Sequence, residues 1–186
     1  MYYRIYRYPY KVSAPFKHIA FKGKKPCYAD RTRKEGDRVR IAGKSMASLY
    51  RARRRVRDII LCNDFDYFCT FTLDQKKIDR YDMAGSKRKL SNAFKNYKNR
   101  YGPDFAYCIV PELHEDGAVH FHGVVRGIRP QDMIINDNGY LDWPYYRDKF
   151  GYFSAGKIKN YEACARYVAK YITKDIADLP KNWQIY

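Results

Sequence analysis

FAYCIVPELHEDGAVHFHGVV, residues 105–125, decides the fold. Phe105 to Leu113 is an apolar and aromatic run of strand length. His114–Gly117 (HEDG) carries turn chemistry. Val119 to Val125 is a second such run, so the stretch predicts an antiparallel hairpin. Upstream, Asp66–Leu73 (DYFCTFTL) is aromatic and β-branched, a further strand. Between the two, Ser86–Arg100 places Leu90, Phe94 and Tyr97 at helical spacing, and Gly102-Pro103 ends that helix. Downstream, residues 127–150 are mixed, with a turn at Asn138-Gly139. Tyr152–Ile158 reads as an edge strand. Asn160 caps a helix running to about Asp175, Pro180 ends the pattern, and Trp183–Tyr186 could begin a last strand. The order β-α-β-β-(β)-α predicts an α+β fold, an antiparallel sheet flanked by helices.

The N-terminal side is different in character. Residues 1–44 are rich in Tyr, Lys, Arg, Pro and Gly without sustained periodicity, and read as a basic arm. Residues 45–186 read as a single globular domain. Ser45 suits an N-cap, and Leu49, Ala52, Val56 and Ile59 then recur at helical spacing, with Arg51, Arg53, Arg54, Arg55 and Arg57 over much of the remaining surface. The first 60 residues hold 18 of the 37 Lys and Arg but only 4 of the 20 Asp and Glu. That asymmetry in a chain of net charge +17 favours a polyanion partner over a merely solubilising arm. Twenty Tyr and ten Phe add faces that can stack on unpaired bases. On this basis the arginines above, with Lys87 and Arg88 on the second helix, are candidate DNA contacts. No apolar run approaches the ~18 residues of a membrane span, and Met1–Tyr10 lacks the apolar stretch of a signal peptide. Five cysteines without a CxxC pair read as free thiols in a reducing cytoplasm.

Chemistry concentrates in the hairpin. Side chains at i and i+2 of a strand share a face, so His120 and His122 present two imidazoles side by side while Phe121 turns to the core. Two imidazoles so placed can share a divalent ion, and the doublet equally fits two surface histidines on a half-exposed strand. Folding the hairpin brings Glu112 near His120 or His122. Two imidazoles and one carboxylate suit Mn²⁺ or Mg²⁺ with positions left for water and a phosphate oxygen. His114, at the turn, is a rival third ligand.

The last helix carries RYVAKYITKD. Tyr167 and Tyr171 are four apart and lie on one helical face. Lys170 follows the first tyrosine by three residues and Lys174 follows the second by three. A tyrosine oxygen can attack a phosphodiester once its charge is neutralised, leaving a phosphotyrosine and a free 3′ hydroxyl. In a chain with 20 Tyr, a helical pair is also unremarkable as packing.

Three motifs in order resemble those of the HUH endonucleases, specifically the rolling-circle replication initiators: FCTFTL (Phe68–Leu73), PELHEDGAVHFHG (Pro111–Gly123) and YVAKYITK (Tyr167–Lys174). The similarity is to initiators of small single-stranded DNA bacteriophages, icosahedral and filamentous, and covers roughly residues 45–186. It implies a central antiparallel sheet with a metal site on one face and a tyrosine helix beside it. It implies His120, His122 and Glu112 as metal ligands, Tyr167 and Tyr171 as nucleophiles, and Lys170 and Lys174 at the scissile phosphate, with the context of Tyr171 favouring it for first attack. The implied partner is single-stranded DNA at an origin hairpin or loop, with host helicase and replication proteins, in the cytoplasm of a bacterial host cell. The implied reaction is nicking and rejoining through a 5′-phosphotyrosine. The competing readings are a non-catalytic single-strand-binding module, and a transposase or relaxase using the same chemistry. No GxxxxGK[ST] signature of an ATPase is present.

Overall fold

A computed structural model describes residues 46–172. The elements are α1 (Met46–Leu61), β1 (Tyr67–Thr72), α2 (Met83–Tyr101), β2 (Ala106–Leu113), β3 (Val119–Arg126), β4 (Ile134–Ile135), β5 (Leu141–Asp142), α3 (Pro144–Phe150), β6 (Phe153–Lys157) and α4 (Tyr161–Lys170). The strands form a single antiparallel sheet in the order β2-β3-β1-β6-β5-β4. The α+β class and the hairpin are as the sequence predicts.

Alternation along the strands sorts the core into two layers. Cys69, Phe71, Phe121, Val125 and Phe153 face α2 and α3, where Leu90, Phe94, Tyr97, Trp143 and Tyr146 are buried. Phe68, Cys108, Val110 and Val124 face α1 and α4, where Leu49, Val56, Ile60, Ala165, Val168 and Ile172 pack. Each fully buried aliphatic or aromatic side chain stabilises the fold by about 1.5–3 kcal/mol, so both helical layers are held mainly by their apolar stripes. Pro111 is tolerated inside β2 because that strand is at the edge of the sheet. Gly123 has the opposite requirement: a Cβ there would lie 2.1 Å from the Cys108 carbonyl oxygen on β2.

Several local expectations are corrected. Residues 152–158 do not form an edge strand: β6 is interior, paired with β1 on one side and β5 on the other. Its polar and glycine positions, Ser154 and Gly156, lie on the less covered face and imitate an edge. Helix α2 begins three residues before Ser86, because the Asp82 side chain accepts a hydrogen bond from Gly85 N at 2.9 Å and caps the helix there. The mixed stretch 127–150 contains β4, β5 and α3, which it was not expected to hold. Helix α4 does not continue to Asp175; it stops at Lys170 with Tyr171 as its C-cap. The basic arm, the Ser45 cap, Lys174 and the strand at Trp183–Tyr186 lie outside the described residues.

Candidate active site

The register of β3 places the two imidazoles. His122 is opposite Thr70 on β1 and Val110 on β2, while His120 is opposite Thr72 and Glu112. All of these point to the α1/α4 side of the sheet, and Phe121 is buried on the other side, as alternation requires. Thr70 Oγ1 lies 3.3 Å from His122 Nδ1, and Thr72 Oγ1 lies 3.4 Å from His120 Nδ1. Each hydroxyl engages the inner ring nitrogen and leaves Nε2 as the nitrogen for a ligand. These threonines were missed as functional candidates. The signal was present in FCTFTL, where two Thr at i and i+2 on a strand must share the face of whatever strand pairs with it.

Glu112 reaches diagonally across the pair, and its Oε2 lies 2.7 Å from His122 Nε2. His114 is drawn in as well: its ring stacks on His120 with centroids 3.9 Å apart, and its Nε2 is 3.9 Å from the Glu112 carboxylate. So both the favoured third ligand and its rival belong to the cluster. Burial is the leading cause that holds both His120 and His122 below the usual imidazole range. Neighbouring histidines push the same way, and the Glu112 carboxylate opposes the shift at both rings. Neutral imidazoles are the form that ligates metals. In the arrangement described, no three His, Cys, Asp or Glu side chains among the described residues form a ready metal-binding group. Glu112 instead closes directly on His122 Nε2, the atom a cation would take. The donor chemistry, two neutral imidazoles held from behind and one carboxylate, fits a Mg²⁺- or Mn²⁺-type ion.

Helix α4 brings the tyrosines. Tyr161, Ala165 and Val168 face the core, and Ile172 just beyond the helix joins them, which leaves Tyr167 and Tyr171 along the flank that overlooks β3. The Tyr171 ring is stacked on His122 at 4.0 Å and 8°. Its hydroxyl donates to the Tyr167 hydroxyl at 2.7 Å. Tyr167 packs edge-on to Phe68, 5.4 Å between centroids, and is 48% exposed. The Tyr171 phenol is held above its usual value, by burial first, then by the Tyr167 hydroxyl and the negative charge of Glu112. Lys170 is exposed at the end of the helix.

The candidate DNA contacts divide. Arg51, Arg54 and Arg55 are exposed on α1, in the same layer as the site. Arg53 is not simply outward: its Nε donates to the Ile172 carbonyl at 2.9 Å and ties α1 to the chain just after Tyr171. Arg57 is half-buried. Lys87 and Arg88 are on α2, which packs on the far face of the sheet from the imidazoles. A cleft of about 240 Å³ between Tyr97, Tyr101, Asp132 and Tyr145 is also on that far side.

The model of the replication-associated protein ORF2 family matches residues 66–176, well over half the chain. The chain belongs to this family. The matched span holds Glu112, both imidazoles and both tyrosines, and excludes α1 with its arginines. Membership makes this a replication-associated protein. Neither a curated protein nor a solved structure matched the chain in the same kind of comparison.

Proposed function

We propose that the protein initiates DNA replication by nicking single-stranded DNA through a tyrosine, with His120, His122 and Glu112 as ligands of a divalent cation. The observation that carries this reading is the stack of Tyr171 on His122, with the Tyr167 hydroxyl bonded to that of Tyr171. It joins the proposed nucleophiles to the proposed ligands from elements far apart in sequence. A purely binding module needs aromatic and basic surface, but not a carboxylate, two neutral imidazoles and two phenols in one cluster.

The reaction asks for an attacking oxygen, an acceptor for its proton and a neutralised phosphate. Attack by a tyrosine oxygen forms an O–P bond and breaks the bond from phosphorus to the 3′ oxygen. The phenol loses its proton and the 3′ oxygen leaves as a hydroxyl, so the 5′ side stays on the enzyme as phosphotyrosine. A bound divalent cation would supply polarisation of the scissile phosphate. The chain's own residues do the rest. Thr70 and Thr72 fix the ring orientation of the imidazoles. His122 fixes the plane of the Tyr171 ring. Tyr167 Oη accepts the Tyr171 proton in a hydrogen bond, so a proton can pass from one phenol toward the other. Because the Glu112 charge helps keep the Tyr171 phenol protonated, neutralising that carboxylate eases its ionisation. Lys170 is placed on the same helix to approach the phosphate.

The test is to incubate the protein with a pool of stem-loop oligonucleotides and Mn²⁺, with and without a chelator. The expected result is cleavage with retention of DNA on the protein under denaturing conditions, abolished by chelator and by His120→Ala/His122→Ala. Binding without cleavage at any divalent metal concentration supports the non-catalytic reading instead.

A further inference from the structure

Four adjacent strands place one residue each in a row across the open end of the site face. Glu112 is opposite His120, and His120 is opposite Thr72. Phe71 is opposite Phe153, so the next step of the same antiparallel register sets Thr72 against Tyr152, and Thr72 N donates to the Tyr152 carbonyl at 2.8 Å. Alternation from Phe153, which is buried toward α2 and α3, turns Tyr152 to the face of the imidazoles. At about 4.8 Å per strand, the ring is rooted roughly 10 Å from His120 in a direct line.

Tyr152 is 74% exposed, the most exposed large hydrophobic side chain among the described residues. Helices α1 and α4 cover the other end of this face, over Phe68, Cys108, Val110 and Val124. The row with Tyr152 lies outside that cluster. The chain is built to hold the residue there: Gly151 has φ +142, and a Cβ on it would meet the Thr72 carbonyl at 2.5 Å and Asp74 N at 2.6 Å. Only glycine lets the chain press this closely on the end of β1. Positive charge adjoins the ring. Lys77 Nζ donates to the Arg147 carbonyl at 2.8 Å, bridging the loop after β1 to α3, and Lys76 is exposed beside it.

An exposed aromatic ring, in line with a phosphate-directed cluster and next to ammonium groups on a protein of net charge +17, matches how single strands are held: cations on the backbone, rings on the bases. We infer that Tyr152 is a stacking platform for one unpaired nucleobase of the strand that runs across the imidazole row. This rests on the proposed single-stranded DNA substrate, but concerns binding and not the chemistry.

The experiment measures binding of a labelled, unstructured single-stranded oligonucleotide by anisotropy, without divalent metal so that nothing is cut. Wild type, Tyr152→Ala and Tyr152→Trp are compared, with thermal melting as a check on folding. Stacking of about 1–3 kcal/mol predicts a loss of about 5- to 150-fold in affinity for Tyr152→Ala. Tyr152→Trp should bind as tightly as wild type or better. An oligonucleotide containing 2-aminopurine should be quenched by wild type and not by Tyr152→Ala. Unchanged affinity in Tyr152→Ala, or equal loss in Tyr152→Trp, overturns the assignment. Tyr152-dependent binding by a protein that never forms a tyrosine adduct would overturn the nicking reading and leave this one standing.

Discussion

The phenol ring of Tyr171 lies flat on the imidazole of His122, with centroids 4.0 Å apart and planes 8° from parallel. Such a contact is worth about 0.5–1.5 kcal/mol beyond the area it buries. Its larger effect is positional. The end of α4 has one preferred seat on β3, and the Tyr171 hydroxyl has one preferred partner, Tyr167. Both nucleophile candidates are thereby delivered to the imidazole cluster by packing that exists before DNA arrives.

The threonines behind the histidines should matter more for metal use than for stability. Thr70→Val and Thr72→Val keep the shape of the side chain and remove the hydroxyl that engages each Nδ1. The Mn²⁺ concentration giving half-maximal cleavage is expected to rise about 10- to 100-fold in the double variant. Melting temperature should move by only a few degrees, on the order of 1 kcal/mol. Metal titration of cleavage beside a thermal melt checks both.

Arg53 should behave unlike its neighbours on α1. Its hydrogen bond to the Ile172 carbonyl holds the chain directly after Tyr171. Arg53→Ala is expected to cost about 0.5–1.5 kcal/mol of stability and to slow adduct formation. Its slope of log affinity against log salt should stay at the wild-type value. Arg51→Ala, on the exposed side, should reduce that slope by about 1 and leave the rate at saturating DNA unchanged. Equal slopes for the two variants would show that Arg51 does not contact phosphate.

Tyr97 predicts an alkaline limit to stability. Burial is the main cause that pushes its phenol up to about 12, and its hydrogen bond to Asp132 adds to the shift. The unfolded phenol titrates at 10.0, so the folded state binds the proton more tightly. The resulting stability is fully present below pH 10.0 and is lost as pH rises toward about 12. Chemical denaturation at a series of pH values across that window should show a downward slope that is shallower in Tyr97→Phe.

The hairpin and its two imidazoles were legible because alternation fixes which side chains share a face, and His120, Phe121 and His122 obey it. β6 was misjudged as an edge because Phe153 and Ala155 supply its only apolar face, and the other face carries Ser154 and Gly156 toward the site. Helix α3 escaped notice because seven residues, PYYRDKF, are too short for periodicity to register. Within the site, helical spacing put Tyr167 and Tyr171 together, yet no spacing rule could bring them onto His122. That contact depends on α4 packing against α1 and β3, a tertiary fact. Arg53 looked like one more outward cation because its partner, the Ile172 carbonyl, is 119 residues away.

The central claim is that a tyrosine of α4 becomes covalently joined to DNA. Intact-mass analysis after incubation with Mn²⁺ and a cleavable stem-loop tests it most directly, followed by peptide mapping of the modified residue. The account predicts a protein mass increased by the 5′-phosphorylated fragment, the fragment mapped to Tyr167 or Tyr171, and no such species in Tyr167→Phe/Tyr171→Phe. Adduct formation by the double variant at the wild-type rate, or cleavage with no adduct in wild type, would contradict it.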